Sequence, residues 1–212
     1  MSTSPSYWNH NTAYHPWILR VLGRRSRVLD VGCGDGLLLE RLAPNADTLV
    51  GLEPDPDTAD RARTRVAGLP SVEVVGADFL THRPAAPFDG VVFVASLHHL
   101  GHAPGLERAK DLLAPGGVLV VVGLARDSSL ADLVRGALSV PVNRAIGRWR
   151  HEQNDIGVPV AEPTETYADL RRTVRSLLPG AHWRHGLHYR YLLTWTAPPN
   201  HRPRLPGSPG GT

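Results

Sequence analysis

The chain has 212 residues, 42% of them hydrophobic, with 23 basic and 20 acidic side chains that leave a net charge of +3. That length suits one domain with a full core, no apolar run approaches the ~20 residues of a membrane helix, and so small a charge excess does not argue by itself for a nucleic-acid partner. The N-terminus lacks the basic and apolar regions of a signal peptide, and the lone cysteine, Cys33, forms no internal disulfide; both features fit a cytoplasmic protein.

The predicted elements alternate between strands and helices. Residues 1–26 form an N-terminal arm whose stretch from Tyr7 to Leu19 is aromatic and rich in amide and imidazole groups, and Pro16 is expected to break any helix there. A strand over Val28 to Val31 leads through a glycine turn into a helix from Leu37 to Leu42. Thr48 to Glu53 reads as a second strand, Asp57 to Val66 as a helix, Val72 to Gly76 as a third strand and Phe88 to Ala95 as a fourth. Gly105 to Leu113 reads as a helix. Gly117 to Gly123 is a fifth strand whose continuous Val/Leu content suits burial on both faces. The rhythm then breaks over about 125–163, read as an inserted lid. Thr164 to Leu178 reads as an amphipathic helix with Thr164 as N-cap. His182 to His188 and Tyr191 to Thr196 close the domain, at about residue 197, as two strands. Residues 198–212, rich in Pro and Gly, are expected to be disordered. Arginine clusters such as Arg61-Arg63-Arg65 read as solvated helix faces.

The most informative segment is Val28-Leu29-Asp30-Val31-Gly32-Cys33-Gly34-Asp35-Gly36. An apolar strand ends in a glycine-rich turn and a helix begins, the usual place where an α/β sheet receives a nucleotide-like cofactor. Glycines there let the backbone approach a ligand. The spacing departs from the dinucleotide fingerprint, because Leu37 stands where its third glycine belongs. Asp30, two residues before the first glycine, is likewise not part of that fingerprint. Cys33 reads as a small residue of the tight turn.

Asp30-Val31-Gly32-Cys33-Gly34-Asp35-Gly36 resembles the first motif of the class I S-adenosylmethionine-dependent methyltransferases, in their small-molecule, type 11-like branch. The resemblance runs from about Arg27 to Thr196. It implies a Rossmann-like α/β fold with a doubly wound, mostly parallel seven-stranded sheet in the order 3-2-1-4-5-7-6, strand 7 antiparallel. It implies S-adenosylmethionine as cofactor and S-adenosylhomocysteine as product. The cofactor-binding residues it points to are Asp30, Gly32, Gly34, Glu53, Pro54, Asp78, Phe79 and Ala95. A carboxylate at Glu53 can accept both ribose hydroxyls, although an acid before a helix also suits the helix dipole. By the same resemblance Asp78 takes the adenine amino group and Phe79 lies near the ring; an Asx turn at Asp78 and a core Phe79 are the plainer alternatives.

Ala95-Ser96-Leu97-His98-His99-Leu100 follows the fourth strand, where this fold brings the reactive methyl to the acceptor. The segment lacks the Asn/Asp-Pro-Pro-Tyr/Phe signature of many amino-group methyltransferases. His98 and His99 are the general-base candidates, and as neighbours at most one is expected to face the methyl. No metal is expected, since Gly101 interrupts the His98–His102 spacing. Similar enzymes fold an N-terminal segment over the cofactor, and Tyr14 and His10, four apart, can share a face toward it; the aromatics can equally dock the arm onto the sheet. Trp149, His151, Glu152 and Asn154 are the site-like residues of the lid, with Arg190 and Tyr191 as weaker candidates. The expected reaction is in-line methyl transfer to a small-molecule acceptor, driven by alignment and desolvation. A nucleic-acid or protein methyltransferase, or a cofactor-binding protein without methyl transfer, is the alternative. No partner membrane or nucleic acid is expected, and the oligomeric state is open.

Overall fold

A computed structural model describes residues 7–125, 165–186 and 190–205. Seven strands form one sheet in the order β3-β2-β1-β4-β5-β7-β6. They are β1 (Arg25–Val31), β2 (Ala46–Leu52), β3 (Val72–Val75), β4 (Phe88–Val94), β5 (Leu113–Gly123), β6 (His182–His185) and β7 (Tyr191–Thr196). The pairs β1–β2, β2–β3, β1–β4 and β4–β5 are parallel, and β7 runs antiparallel to both β5 and β6. Order and direction agree with the expectation.

The period-two alternation of each strand divides the core between the two faces of the sheet. Leu29, Val91, Phe93, Leu119, Val121 and Leu193 pack on one face with α5 (His102–Leu112) and the helix Tyr167–Leu177, here α6. Val28, Val92, Val118, Val120 and Leu192 pack on the other with α1 (His15–Leu22), α2 (Leu37–Leu42) and α3 (Pro56–Val66). A short α4 (Leu97–Leu100) follows β4. Strand segments buried on both sides are mostly apolar, which is why Val91–Val94 of β4 and Val118–Val122 of β5 read as hydrophobic runs.

Several local readings change. Pro16 does not break a helix; it stands in the first turn of α1, where its missing N–H costs nothing. β5 begins at Leu113, four residues earlier than the expected Gly117, because Leu113 pairs with Phe88 before a register irregularity that brings Val118 opposite Gly90. The cap of α6 is Thr166; its hydroxyl accepts from the Asp169 N–H, and Asp169 accepts in return from the Thr166 N–H. Thr164 lies outside the described residues, as do the lid of about 125–163, with Trp149, His151, Glu152 and Asn154, and the end of the predicted sixth strand. Of the predicted tail, residues 198–205 are described and 206–212 lie outside the described residues: the His201 ring meets the Lys110 carbonyl at 2.8 Å, and the Arg204 N–H donates to the Asp111 carbonyl at 2.8 Å.

The reciprocal cap predicts a measurable cost. Thr166→Ala should lower the unfolding free energy by about 1 kcal/mol, read from the midpoint of urea denaturation at unchanged slope.

Candidate functional site

The C-terminal ends of the parallel strands carry the site. β1 ends at Asp30-Val31 and the chain turns through Gly32, Gly34 and Gly36, all with φ between +57° and +82°. Gly32 and Cys33 both donate to the Leu52 carbonyl, at 2.8 and 2.9 Å, which ties the turn to β2. A Cβ on Gly32 would lie 2.6 Å from the Ser96 Cβ, so only glycine fits. The Ser96 hydroxyl donates to the Val31 carbonyl at 2.5 Å and ties β4 to β1.

Two buried carboxylates lie under this turn. Glu53, 7% exposed, accepts from the Gly34 N–H at 3.0 Å and the Asp55 N–H at 3.1 Å, one bond on each oxygen. Each oxygen keeps a second acceptor position. Asp30 is 1% exposed and its Oδ2 has no hydrogen-bond partner. Burial, and then the charge of Glu53, push its pKa up to about 7.

A cavity of about 410 Å³ opens beside these groups. Among the expected site residues, Gly32, Glu53, Pro54, Asp78, Phe79, Ala95, His98, His99 and His10 line it. Asp30 and Gly34 line a smaller adjoining cavity of about 90 Å³, together with Gly32. Tyr14 lines neither cavity. A Cβ on Gly186 would come within 2.5 Å of the Tyr14 hydroxyl, so the side chain is directed at the end of β6. His10 and Tyr14 do not share a helical face, because His10 precedes the three-residue 3₁₀ turn Thr12–Tyr14 and α1 begins only after it.

Asp78 makes the Asx turn, its Oδ1 accepting from the Leu80 and Thr81 N–H groups at 2.9 and 3.1 Å. Phe79 is 3% exposed and packs edge-on against Phe93 at 5.4 Å while still reaching the cavity wall. His98 and His99 both line the cavity, their ring centroids 4.2 Å apart. His102, four residues beyond His98, is buried against Tyr191 and forms an ion-pair contact with Glu165.

Sequence reasoning missed the residues that hold the arm. Asn9 accepts the Asn11 and Thr12 N–H groups at 3.0 Å each and donates its own N–H to the Thr12 hydroxyl, an Asn-x-x-Thr pattern that was legible as a turn. The Tyr7 hydroxyl donates to Asp35 at 3.0 Å, and Arg65 pairs with Asp35 at 2.8 Å and with Glu40 at 3.2 Å. Arg65, 5% exposed at its side chain, is therefore not part of a solvated face.

The chain matches the methyltransferase domain family over residues 7–173. The chain belongs to the class I S-adenosylmethionine-dependent methyltransferases. It is 39% identical over 199 residues to an uncharacterized methyltransferase of Mycobacterium tuberculosis, covering 90% of this chain and 98% of that one. A trans-aconitate 2-methyltransferase of Rhizobium etli is 32% identical over 157 residues, covering 68% of this chain and 56% of that one. The N-methyltransferase NodS of Bradyrhizobium japonicum, solved with S-adenosylhomocysteine, shares the fold with a TM-score of 0.63 at 21% identity, covering 90% of this chain and 89% of that one. The cofactor of the class is S-adenosylmethionine.

The raised pKa of Asp30 has a stability consequence. The folded state keeps a proton that the unfolded chain releases near 3.8, so this group favours unfolding progressively as pH rises from about 4 to about 7. Asp30→Asn should remove that term. The Tm difference, variant minus wild type, measured without cofactor should grow across this window and level off above it.

Proposed function

We propose that the chain transfers a methyl group from S-adenosylmethionine to a small-molecule acceptor, with the cofactor across the ends of β1 and β2 and the acceptor beside β4 and β5. The observation that carries this reading is the pair of buried carboxylates at the glycine turn. Glu53, with one open acceptor position on each oxygen, matches the two hydroxyls of a ribose. The Oδ2 of Asp30 has no hydrogen-bond partner and suits the ammonium of the methionine part. Gly32 and Gly34 let the backbone come close. Pro54, Phe79 and Ala95 supply apolar wall, Asp78 keeps its second oxygen for the adenine amine, and His10 borders the cavity from the arm.

Bound there, S-adenosylmethionine supplies an electrophilic methyl on a sulfonium and leaves a neutral thioether, which needs no acid. The work of this chain is then alignment of the acceptor and exclusion of water. His98 or His99 takes the proton when the acceptor is a hydroxyl. The acceptor class is supported by the name of the trans-aconitate relative and by a cavity volume in the range of small-molecule sites.

Calorimetric titration with S-adenosylhomocysteine, with NADH as control, tests the cofactor site. Glu53→Gln should weaken S-adenosylhomocysteine by roughly 10- to 100-fold, and NADH should not bind. No binding to the wild type, or preference for NADH, would overturn the reading. Label from a methyl-labelled cofactor should enter the small-metabolite fraction of an extract; label in RNA or protein alone would overturn the acceptor class.

A further inference from the structure

The two buried carboxyls at the glycine turn are not served alike. They stand at the ends of two paired strands, Asp30 in register with Gly51 and Glu53 just after Leu52, the partner of Val31. Glu53 receives two backbone N–H groups, one on each oxygen. Asp30, 1% exposed, receives none on its Oδ2. The guanidinium that reaches the turn, that of Arg65, pairs instead with Asp35 and Glu40. A charge on Asp30 would lack water and a counter-charge, and would stand beside a second carboxylate. Of the pair, Asp30 is therefore the one that keeps a proton, and its pKa of about 7, raised by burial and then by Glu53, extends that state up to neutrality.

The groups around Asp30 leave it as the one that responds. It lines the smaller cavity with Tyr7, His15, Cys33 and Asp35. Burial pushes the Tyr7 phenol and the Cys33 thiol far up and holds His15 down at about 3, so all three are neutral around pH 7. Asp35 already has Arg65 as its partner. Within the sheet Asp30 registers with Gly51 of β2 and Val92 of β4, neither of them charged.

We propose that docking of the cofactor's ammonium group expels the proton of Asp30, so that cofactor affinity rises with pH through the neutral range. This rests on the methyl-transfer reading above and adds the regulation of its cofactor site. The ammonium keeps its own protons. The O–H bond of the Asp30 carboxyl breaks, its proton passes to solvent, and a carboxylate–ammonium pair replaces a neutral acid. In acid the ligand must displace a proton to bind; once the free protein is already ionised it displaces none, and the affinity levels off.

The test is calorimetric titration of the full chain with S-adenosylhomocysteine from about pH 5.5 to about pH 8, in pairs of buffers that differ in ionisation enthalpy and so count the protons released. About one proton should leave per ligand near the acid end and almost none near the alkaline end, with affinity about tenfold or more higher at the alkaline end. Asp30→Asn should show neither the release nor the rise. It should match the wild type in acid and fall behind only as pH increases, whereas a purely structural role would cost affinity at every pH. Whatever the imidazoles of His10, His98 and His99 contribute is common to both proteins, so their difference isolates Asp30. 5′-Methylthioadenosine, which has the nucleoside and thioether but no ammonium, should bind without expelling the proton. In Glu53→Gln, with the neighbouring charge removed, the release should be centred at lower pH, a readout that does not require the Asp30 variant to fold. Tight S-adenosylhomocysteine binding with a flat pH profile, or the same release from Asp30→Asn, would overturn the proton exchange and leave the methyltransferase reading standing. Failure of the wild type to bind S-adenosylhomocysteine at any pH would overturn both.

Discussion

The burial of two carboxylates side by side is the constraint on which the rest of the site depends. Asp30 and Glu53 end adjacent strands and are nearly shut off from water, and the charge of Glu53 adds to burial in raising the cost of ionising Asp30. Glu53 meets the cost of its own burial with two backbone N–H donors, one from the glycine turn and one from the start of α3. The turn can supply its donor only because Gly32, Gly34 and Gly36 take left-handed backbone angles, and because Ser96 occupies the space a side chain on Gly32 would need. Asp30 meets the cost differently, by holding its proton near neutrality. A site built this way is poised for a cationic ligand, whose arrival favours the charged form.

A second layer of charge fastens the N-terminal arm over the same turn. Asp35 receives the Tyr7 hydroxyl on one oxygen and the Arg65 guanidinium on the other, so arm, turn and α3 meet at one carboxylate. His15, 4% exposed, contacts Arg41 at 3.0 Å; burial and then the positive charge of Arg41 lower its pKa to about 3. That histidine stays neutral at physiological pH and acts as a structural hydrogen-bonding group beside the smaller cavity. The arm is thus held by polar contacts to the site itself as well as by the apolar face of α1 against the sheet.

The opposite end of the cavity is organised by β7. Its antiparallel entry beside β5 brings Arg190 to the cavity and buries Tyr191 below it, against His102 and Tyr167. Gly123 is a requirement of that packing, since a Cβ there would meet the Tyr191 ring at 2.2 Å. One end of the cleft is therefore shaped by carboxylates under a glycine turn, and the other by an arginine over an aromatic cluster.

The α/β class was legible in the chain alone, because it rests on local signals: apolar runs alternating with helical stretches, a glycine turn after the first strand, an acid at the end of the second; the sheet order followed only from the resemblance to the methyltransferases and agrees with the structure. The same signals marked Asp30, Gly32, Gly34 and Glu53, whose positions follow from one strand–turn–helix unit and its neighbour. What only the tertiary structure decided depends on contacts between distant segments. Tyr14 and His10 parted company because a 3₁₀ turn, stabilised by Asn9 and Thr12, set the entry of the arm. Arg65 left its predicted solvated face because Asp35, 30 residues away, was there to pair with it. Arg190 gained its orientation from Asn11, 179 residues earlier in the chain. Local propensity carries no information about such pairs; they exist only once the sheet has brought their strands and loops to one edge.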